Sequence, residues 1–338
     1  MLAVEFWMKD KGYLSWNELG VDSSTLFGAF SNILLLMYGD HELQRLFRAY
    51  RDGRLVFSSL FPVVKGTKED IFFFPKPILN PSVEIGGSSF VEKDDGYGRY
   101  SIRKRIKRVK WISMRLFGEF MNSIELSGGD YRAGFDMGRE DVRLHGEFAF
   151  FEGELDEDVL GGYTNVEIPH VSKDRLNASP EGNLFYASEL RVSDGVGFYL
   201  LVDGCESWDY EKLKAVFRLL ADEGIGGNRS VGRGQFDIVE FKEMNALLTD
   251  EGKGFVNLSL VYPLEDEIAS IYTLSLKRKD GFVFKGKGVP LKKSVLRMLS
   301  EGCFFTNRVK GKVLEEEVGG TKIFRNGKAF VVSGVRMQ

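Results

Sequence analysis

The sequence predicts an α+β fold divided between two domains. A chain of 338 residues and 38.2 kDa exceeds the usual size of one compact domain, so two domains are the expectation. Hydrophobic residues make up 43% and charged residues 28% of the chain, with no low-complexity tract, which favours a folded protein over a disordered one. Strand-like runs and helical apolar spacings both occur, which predicts a mixed fold.

The first domain is predicted over residues 1–242 and begins with elements of clear period. Residues 2–8 form a short apolar run that predicts a strand. Apolar side chains in residues 26–37 recur on one helical face, and Ser23 stands where an N-cap is expected. A second helix is predicted over residues 40–50.

The end of the first domain also has a clear pattern. Residues 196–202 predict a strand, residues 209–223 have the apolar spacing of a helix, and "QFDIVEFKE" predicts another strand after a glycine-rich loop. Residues 83–182, by contrast, show no dominant period and many glycines. We therefore predict that they form a long insertion within the first domain rather than a domain of their own.

A second, smaller domain is predicted over residues 243–338. Segments such as "FVNLSLVYPLEDE" and "CFFTNRVKGKV" have the pattern of short strands separated by turns. Residues 290–302, "PLKKSVLRMLSEG", are predicted to form a helix between these strands. This part is therefore also predicted to be α+β.

The charges indicate local rather than general affinity for polyanions. A formal net charge of −3 argues against a protein that coats nucleic acid with its whole surface. Residues 96–118 nevertheless carry eight basic side chains and no acidic one. We interpret this run either as a solvated face or as a surface that binds RNA or an acidic partner. Its candidate RNA-binding residues are Arg103, Lys104, Arg105, Lys107 and Arg108.

Nothing in the sequence predicts a cofactor, a bound metal or a membrane span. Cys205 and Cys303 are far apart and form no CxxC pair, so neither a disulfide framework nor a zinc site is indicated. The amino-terminal residues lack a basic region followed by a long apolar run, and the longest apolar stretch is too short to cross a bilayer. A cytoplasmic location without membrane contact is the expectation.

The most distinctive segment is "GIGGNRSVGRGQF", residues 224–236, which holds five glycines and two arginines. It follows a predicted helix, whereas the phosphate loops of nucleotide-triphosphate and dinucleotide folds run from strand to helix. The patterns of a kinase, an NTPase or a Rossmann enzyme are therefore missing. Its glycines permit positive φ angles and expose backbone N–H groups that suit a phosphodiester backbone. The candidate contacts are Gly226, Gly227, Asn228, Arg229, Ser230, Gly232 and Arg233.

This loop resembles the glycine-rich loop of the RAMP superfamily of CRISPR RNA-handling proteins. Further segments, in chain order, resemble the type III-A (Csm-type) RAMP subunit that holds the crRNA 5′ handle. They are "DSSTLFGAF", "LFPVVKG" with "FFFPKPIL", "RKRIKRVKWIS", "KDRLNASPEGNLFYASELRV" and "NLSLVYPLEDE". The loop is common to the superfamily, and the ordered set makes the resemblance specific.

The resemblance implies a fold, a function and partners. It implies two ferredoxin-like (RRM-like) domains, the first carrying the insertion and the glycine-rich loop. It also implies a subunit without nuclease activity that binds the crRNA backbone and its 5′ handle. Such a subunit docks against the large polymerase-like subunit and the neighbouring backbone RAMP subunit. Where the family tends to have Ile-Asp-Arg, this chain has Lys173, Asp174 and Arg175, and Lys173 and Arg175 remain RNA-binding candidates.

Two other functions stay open on the sequence alone. One is a metal-independent endoribonuclease of the same superfamily, in which His41, His145 or His170 acts as general base on a ribose 2′-hydroxyl. None of the three stands in a recognisable motif. The other is an assembly protein without RNA contact. A related hypothesis is that the phenylalanines at 72–74 and Trp111 offer apolar surface to a partner subunit.

Overall fold

The computed structural model of the chain describes residues 1–16, 18–79, 97–172, 183–244, 247–249, 252–283 and 290–336. It is a mixed α+β protein with more strands than helices, which confirms the predicted α+β class. The α-helices of the described residues are α1 Ser23–Arg51, α2 Tyr97–Arg108, α3 Met114–Asn122 and α4 Tyr210–Glu223. None of these helices is long and apolar enough to cross a membrane.

A large sheet organises the described residues up to 244. The strands of this part are β1 Leu2–Trp7, β2 Lys11–Leu14, β3 Val56–Phe57, β4 Phe61–Lys65, β5 Asp70–Pro75, β6 Trp111–Ser113, β7 Ile124–Ser127, β8 Asp130–Ala133, β9 Val142–His145, β10 Phe148–Phe151, β11 Tyr163–Ser172, β12 Asn183–Ser193, β13 Val196–Asp203 and β14 Ile238–Glu243. The order in the large sheet is β14-β1-β13-β4-β5-β6-β10-β9, with β3 also paired to β13. Every neighbouring pair is antiparallel except β6 with β10, which is parallel. The predicted strands at 2–8, 196–202 and after the glycine-rich loop are confirmed.

The central strands β1 and β13 are apolar on both faces because both faces of the sheet are covered. Val4 and Phe6 of β1 lie in one apolar cluster with residues of α1 and α4. Ala3 and Trp7 point the other way, into a second cluster with residues of α3 and of the C-terminal part. Alternation of side chains along a strand places successive residues on opposite faces, so one strand supplies both cores.

Helix α1 contains the break that the sequence predicts between two helices. Gly39 has φ 78° and ψ −176°, a conformation that glycine adopts readily and that interrupts the helical backbone. The prediction that Ser23 is the N-cap is wrong. Asp22 is the cap, and its Oδ1 accepts a hydrogen bond from the backbone N–H of Thr25 at 3.0 Å. Ser23 is buried, and its Oγ accepts a hydrogen bond from the backbone N–H of Leu260.

The described part of the predicted insertion adds to the first domain instead of standing apart. Strands β6, β9 and β10 extend the large sheet. Helix α3 packs on the face of this sheet that carries Ala3 and Trp7, and its apolar residues belong to the second cluster. Strands β11 and β12 form a hairpin that pairs with β2 in a separate three-stranded sheet. This hairpin lies next to the glycine-rich loop, as described below.

The hypothesis that the phenylalanines at 72–74 offer apolar surface to a partner is wrong. Phe73 and Phe74 are fully buried and Phe72 is nearly so, because β5 runs through the interior of the sheet. Phe74 packs against Phe117 of α3, and Phe73 against Phe148 of β10. The sequence could not distinguish these core residues from exposed ones because the side chains that pack on them, Phe117 and Phe148, lie in elements much further along the chain.

The C-terminal residues form small antiparallel ribbons. Their strands are β15 Leu247–Thr249, β16 Phe255–Asn257, β17 Leu276–Lys279, β18 Phe282–Val283, β19 Leu291–Lys292, β20 Leu296–Leu299, β21 Phe304–Phe305, β22 Leu314–Val318, β23 Thr321–Arg325, β24 Val331–Val332 and β25 Gly334–Arg336. The pairings are β15 with β25, β16 with both β21 and β24, β17 with β20, β18 with β19, and β22 with β23.

The helix predicted over residues 290–302 is wrong, because this segment forms β19 and β20. Leu299 pairs with Leu276 of β17, and Met298 and Leu299 are buried. A short apolar spacing of this kind suits either a helix or a strand, and long-range pairing decides between them. The described residues after 243 contain no α-helix, so the structure does not show there the helices that a second ferredoxin-like domain requires.

Ion pairs at the start of α1 join the C-terminal part to the first. The Oδ2 atom of Asp22 lies 2.8 Å from the ammonium of Lys279 and 3.9 Å from that of Lys277. Burial works to raise the pKa of the Asp22 carboxyl, but the ion pair and hydrogen bond with Lys279 outweigh it and lower that pKa below its usual value. The carboxylate therefore stays charged and caps the helix while it holds the two parts together.

Candidate functional site

The glycine-rich loop, residues 224–236, connects the end of α4 to the start of β14 at the edge of the large sheet. Its predicted place between a helix and a strand is thus confirmed. Positive φ angles occur at four of its glycines and at Asn228, whose φ is 55°. Only glycine fits at Gly234, because a Cβ there would lie 2.1 Å from the carbonyl oxygen of Ile225.

Backbone contacts fix the base of the loop against the segment around β2. The N–H of Gly234 donates to the carbonyl of Tyr13 at 3.0 Å, and the Ser15 hydroxyl donates to the carbonyl of Gly227 at 2.7 Å. The N–H of Ile225 donates to the carbonyl of Gly234, which closes the loop on itself. These bonds hold the loop in one conformation without using the N–H groups at its tip.

The tip of the loop presents free donors to solvent. The backbone N–H groups of residues 226–230 have no acceptor among the described residues, and all five residues are exposed. Arg229 adds an exposed guanidinium in the same run, and Ser230 adds a hydroxyl. Consecutive N–H groups in turn conformations form a concavity that binds anions such as phosphate.

Arg233, which the sequence grouped with Arg229, is placed differently. Its Nε lies 2.7 Å from Oε2 of Glu189 on β12, and its guanidinium lies over the ring of Tyr13 at 5.0 Å. The Glu189 side chain is only 1% exposed and that of Arg233 19% exposed. Nε2 of His170 on β11 lies 3.4 Å from the other carboxylate oxygen of Glu189. Arg233 is therefore engaged inside the protein, between the loop and the β11–β12 hairpin.

Clefts open on both sides of the loop tip. One, of 520 Å³, lies between the tip and the end of α4, and Asn228, Arg229 and Ser230 line it. The other, of 420 Å³, lies between the tip, the first turns of α1 and the C-terminal ribbons. Gly226, Gly227 and Arg229 belong to both clefts, so the loop tip forms the ridge between them.

The other RNA-binding candidates lie elsewhere. The basic residues Arg103, Lys104, Arg105, Lys107 and Arg108 are exposed on α2. They line neither cleft beside the loop; Lys107 lines a third cleft, of 550 Å³, near Trp111. Lys173 and Arg175 lie outside the described residues.

The sequence reasoning missed the basic residues that the C-terminal part brings to the second cleft. They are Lys279, Lys293 and Arg325. The signal for two of them was present, since residues 276–294 carry seven basic side chains and a single acidic one.

One cluster of carboxylates has the spacing of a metal site but holds a lysine. Oxygens of Glu5, Asp70 and Glu240 lie within 4.8 Å of one another, and the ammonium of Lys242 lies between them. Its distances to Glu5, Asp70 and Glu240 are 2.9, 2.6 and 3.1 Å. Burial raises the pKa of the Glu5 carboxyl, and the hydrogen bond from Lys242 partly offsets this rise. The position that a cation would take is thus filled by a side chain of the protein.

None of the three histidines faces the loop tip. The exposed ring of His41 lies 3.8 Å from Glu42, and that of His145 lies 3.3 Å from Glu157. His170 stacks on Phe185, and its Nε2 is buried against Glu189. A general base must come within hydrogen-bond reach of the proton that it abstracts, and none of these rings lines the clefts beside the loop.

Profiles of two known protein families match this chain. A profile of the RAMP superfamily matches residues 21–237, a range that contains most of the large sheet and the whole glycine-rich loop. The chain belongs to the RAMP superfamily. A second profile, of the CRISPR Csm4 C-terminal domain, matches residues 250–333, the region of the C-terminal ribbons.

Two curated proteins are similar to the chain, and both are named CRISPR system Cms protein Csm4. The one from Methanocaldococcus jannaschii is 25% identical over 334 residues, covering 90% of this chain and 83% of the relative. The one from Thermococcus onnurineus is 27% identical over 222 residues, covering 66% of this chain and 63% of the relative. Together with the two profiles, these likenesses support a RAMP subunit of the Csm4 type, as the sequence resemblance indicated.

Solved structures share the fold across the whole chain. A crystal structure of a Csm3-Csm4 subcomplex of the type III-A CRISPR-Cas interference complex matches with a TM-score of 0.62 and 18% identity. The match covers 98% of this chain and 99% of that one. A Csm1-Csm4 cassette in complex with cA4 matches with a TM-score of 0.57 and 19% identity, covering 100% and 98% of the two chains. At these identities the likeness shows a common fold.

Proposed function

We propose that the chain is a non-catalytic RNA-binding subunit of a type III-A CRISPR effector complex that caps the crRNA 5′ handle. In this proposal it also bridges the large polymerase-like subunit to the neighbouring backbone RAMP subunit. The superfamily membership and the Csm4-type relatives support the class of complex. The glycine-rich loop supports the RNA contact.

The observation that carries the proposal is the loop tip. The backbone N–H groups of the five exposed residues 226–230 have no acceptor in the part of the chain that the structure describes, and the guanidinium of Arg229 stands among them. Donors of this kind suit the phosphates of an RNA backbone, which carry charge but no sequence information. Recognition of the handle then depends on the clefts on either side of the tip, where bases have room to lie.

The topology of the large sheet supports a ferredoxin-like first domain. Two units with a helix between two strands follow each other along the chain, β1-α1-β4 and then β13-α4-β14. Their four strands lie in the sheet in the order β14-β1-β13-β4, and all neighbours are antiparallel. Two split βαβ units interleaved in this way are the ferredoxin-like arrangement. The loop after α4 then lies where the second helix returns to the sheet.

The proposed partners come from the solved relatives. Their structures are of a Csm3-Csm4 subcomplex and of Csm1-Csm4 cassettes, and the matches cover nearly the whole of each chain. We propose equivalent contacts for this chain, with a backbone RAMP subunit and with the large subunit. Exposed apolar side chains on α1, at Leu35 and Leu36, are suited to such contacts.

None of the three histidines lines the clefts beside the loop tip, which favours a subunit that does not cut RNA. The runner-up is the metal-independent endoribonuclease, and the further alternative is an assembly protein without RNA contact. Incubating the purified chain with its large subunit and a labelled crRNA, and running native and denaturing gels in parallel, separates the three. The proposal predicts a shifted band and uncut RNA.

A matched control identifies any nuclease that the gels reveal. His170→Ala, His145→Ala and His41→Ala are compared with the parent protein on the denaturing gel. Cleavage that one of these substitutions abolishes would establish the endoribonuclease. If the labelled crRNA does not shift on the native gel with any of these proteins, the chain does not bind RNA, and the assembly protein is the alternative that remains.

A further inference from the structure

The cleft between α1 and the C-terminal ribbons has walls that would accept an extended chain. On one side lies the surface of α1 formed by small residues, including Ser24, Gly28 and Asn32. A Cβ added at Gly28 would meet no atom within 4 Å, so this wall is open. The loop tip with Arg229 forms the entrance, and the ribbons of the C-terminal part form the other side.

Basic side chains outnumber acidic ones in the lining of this cleft. Arg229, Lys279, Lys293 and Arg325 line it, against one carboxylate, Asp280. Asp280 pairs with Arg278, at 3.2 Å. The positive charge of the cleft is therefore not balanced by its own lining.

Two of these four basic groups, Lys279 and Arg325, have partners within the protein. The ammonium of Lys279 lies 2.8 Å from Asp22 and also donates to the hydroxyl of Thr25. Arg325 donates to the carbonyl of Ser294, and its Nη1 lies 3.3 Å from Glu316. They shape the electrostatic field of the cleft, but their donors are engaged.

Lys293 differs from them because its ammonium has no partner among the described residues. The nearby carboxylate of Glu316 accepts from the backbone N–H of Ser294 and pairs with Arg325. Burial lowers the pKa of Lys293, and the neighbouring charges of Arg325 and Lys279 lower it further, although the carboxylate of Glu316 works in the opposite direction. A half-buried ammonium without a directly paired carboxylate is costly for a fold to keep, and an anionic ligand in the cleft would compensate it.

We propose that Lys293 binds a phosphate of the same RNA strand that the glycine-rich loop holds, so that the strand passes from the loop tip into the cleft along α1. This inference rests on the proposed function and adds the path of the strand and a second phosphate contact. The ligand is an RNA backbone because the cleft opens directly at Gly227 and Arg229, the residues assigned to phosphate binding. A strand held at one end of the cleft is thereby led to the only ammonium in its described lining that lacks a partner.

Lys292 provides a matched control for the binding test. It is the adjacent residue, is exposed on β19 and lies outside the lining of the cleft. Affinity for a labelled crRNA with its 5′ handle is measured in the presence of the large subunit, at several salt concentrations, for the parent protein, Lys293→Ala, Lys293→Arg and Lys292→Ala. Lys293→Ala is expected to bind several-fold more weakly, with a salt slope shallower by about 0.7, the value for one lost phosphate contact on a single strand. Lys293→Arg and Lys292→Ala are expected to keep the parent slope.

Chemical labelling of the unaltered protein tests the same contact without a substitution. Acetylation of Lys293 and Lys292 is followed by mass spectrometry for the chain alone, with the large subunit, and with the large subunit and RNA. The inference predicts that RNA protects Lys293 and leaves Lys292 unchanged. Protection by the large subunit alone would assign the cleft to a protein partner and overturn the inference.

The outcomes separate this inference from the proposed function. If the parent protein binds RNA while Lys293→Ala keeps its affinity and salt slope, the second phosphate contact is wrong and the loop assignment stands. If the parent protein binds no RNA in any format, the proposed function fails and the inference fails with it.

Discussion

Arg229 and Arg233 lie four positions apart in the same loop, yet their surroundings give them different roles. Arg229 is exposed at the tip among N–H groups that have no acceptor within the described residues, whereas Arg233 pairs with the buried carboxylate of Glu189. Removing one partner of a buried ion pair leaves an uncompensated charge, which is strongly destabilising. An exposed arginine without such a partner contributes little to folding but is available to an anionic ligand.

The first prediction compares the two arginines. Arg229→Ala is expected to leave the free energy of unfolding within about 0.5 kcal/mol of the parent value and to weaken RNA binding with a shallower salt slope. Arg233→Ala is expected to lower the free energy of unfolding by about 3 kcal/mol, because Glu189 stays buried without its partner. Urea unfolding and anisotropy binding on the same preparations check both.

A double variant controls for the ion pair. Arg233→Gln with Glu189→Gln removes both charges and should recover part of the lost stability. Equal stability losses for Arg229→Ala and Arg233→Ala would contradict the distinction between them.

The sequence could reveal the loop but not the partner of each arginine. The glycine and arginine composition of residues 224–236 was enough to predict a backbone-binding turn after a helix. Glu189 lies more than forty residues earlier in the chain, on β12 of a hairpin that belongs to a separate sheet. Its contact with Arg233 forms only when the hairpin folds beside the loop. A single sequence does not indicate that these two residues form an ion pair.

At the scale of the element, the loop depends on glycines for two different reasons. Gly234 has φ 78° and also meets the carbonyl of Ile225, so a side chain there is excluded by both conformation and space. Gly232 has φ 77°, but a Cβ there would meet no atom within 4 Å. Conformational strain alone acts at Gly232.

The second prediction follows from this difference. Gly232→Ala is expected to cost about 1 kcal/mol of unfolding free energy, the strain of a left-handed conformation. Gly234→Ala is expected to cost about 3 kcal/mol or more and to reduce RNA binding, because the loop must open to admit the methyl group. Thermal unfolding and RNA-binding assays measure both variants. Equal losses of stability and affinity for Gly232→Ala and Gly234→Ala would contradict the role given to the close approach of Ile225.

Helix α1 provides the third prediction, at Gly28. Alanine and leucine have higher helix propensity than glycine by up to about 1 kcal/mol, and a Cβ meets no neighbour there. Gly28→Ala is expected to raise the melting temperature and to keep RNA affinity. Gly28→Leu is expected to be at least as stable as the parent but to bind RNA more weakly, because the larger side chain projects into the cleft. Unchanged affinity of Gly28→Leu would argue that the strand does not pass along α1.

Elements with local signals were predictable, and those fixed by long-range pairing were not. The strand at 196–202 and the helix at 209–223 have periods that lie within the segment itself. Residues 290–302 carry apolar residues at ambiguous spacing, and their strand conformation is set by pairing of β20 with β17. The phenylalanines at 72–74 likewise became core residues because distant residues pack on them, Phe117 of α3 on Phe74 and Phe148 of β10 on Phe73.

At the scale of the whole molecule, the ion pair of Asp22 with Lys279 joins the first part of the chain to the C-terminal part beside the cleft along α1. The pKa of Asp22 is lowered in the folded protein. An acid with a lowered folded-state pKa adds stability above its unfolded pKa, near 3.9, and loses that stability as the pH falls through the folded value. The contribution is therefore complete at neutral pH and decreases at acid pH.

The fourth prediction uses Asp22→Asn, which retains the capping oxygen for Thr25 but removes the charge. At pH 7 the variant is expected to be about 2 kcal/mol less stable than the parent, because a mostly buried ion pair is broken. The difference between the two proteins should shrink as the pH falls below about 4. Urea unfolding over this range measures it, and a difference independent of pH would show that the charge of Asp22 does not stabilise the fold.

The central claim is that the tip of the glycine-rich loop holds crRNA by its backbone while the adjoining clefts distinguish the 5′ handle. The most direct test is anisotropy binding of crRNA with an intact or a scrambled handle, at two salt concentrations, to the parent protein and Arg229→Ala with the large subunit present. The account predicts tighter, salt-sensitive binding of the intact handle by the parent, and weaker binding of both RNAs with a shallower salt slope by Arg229→Ala. Equal binding of the two RNAs by the parent, together with no effect of Arg229→Ala, would contradict it.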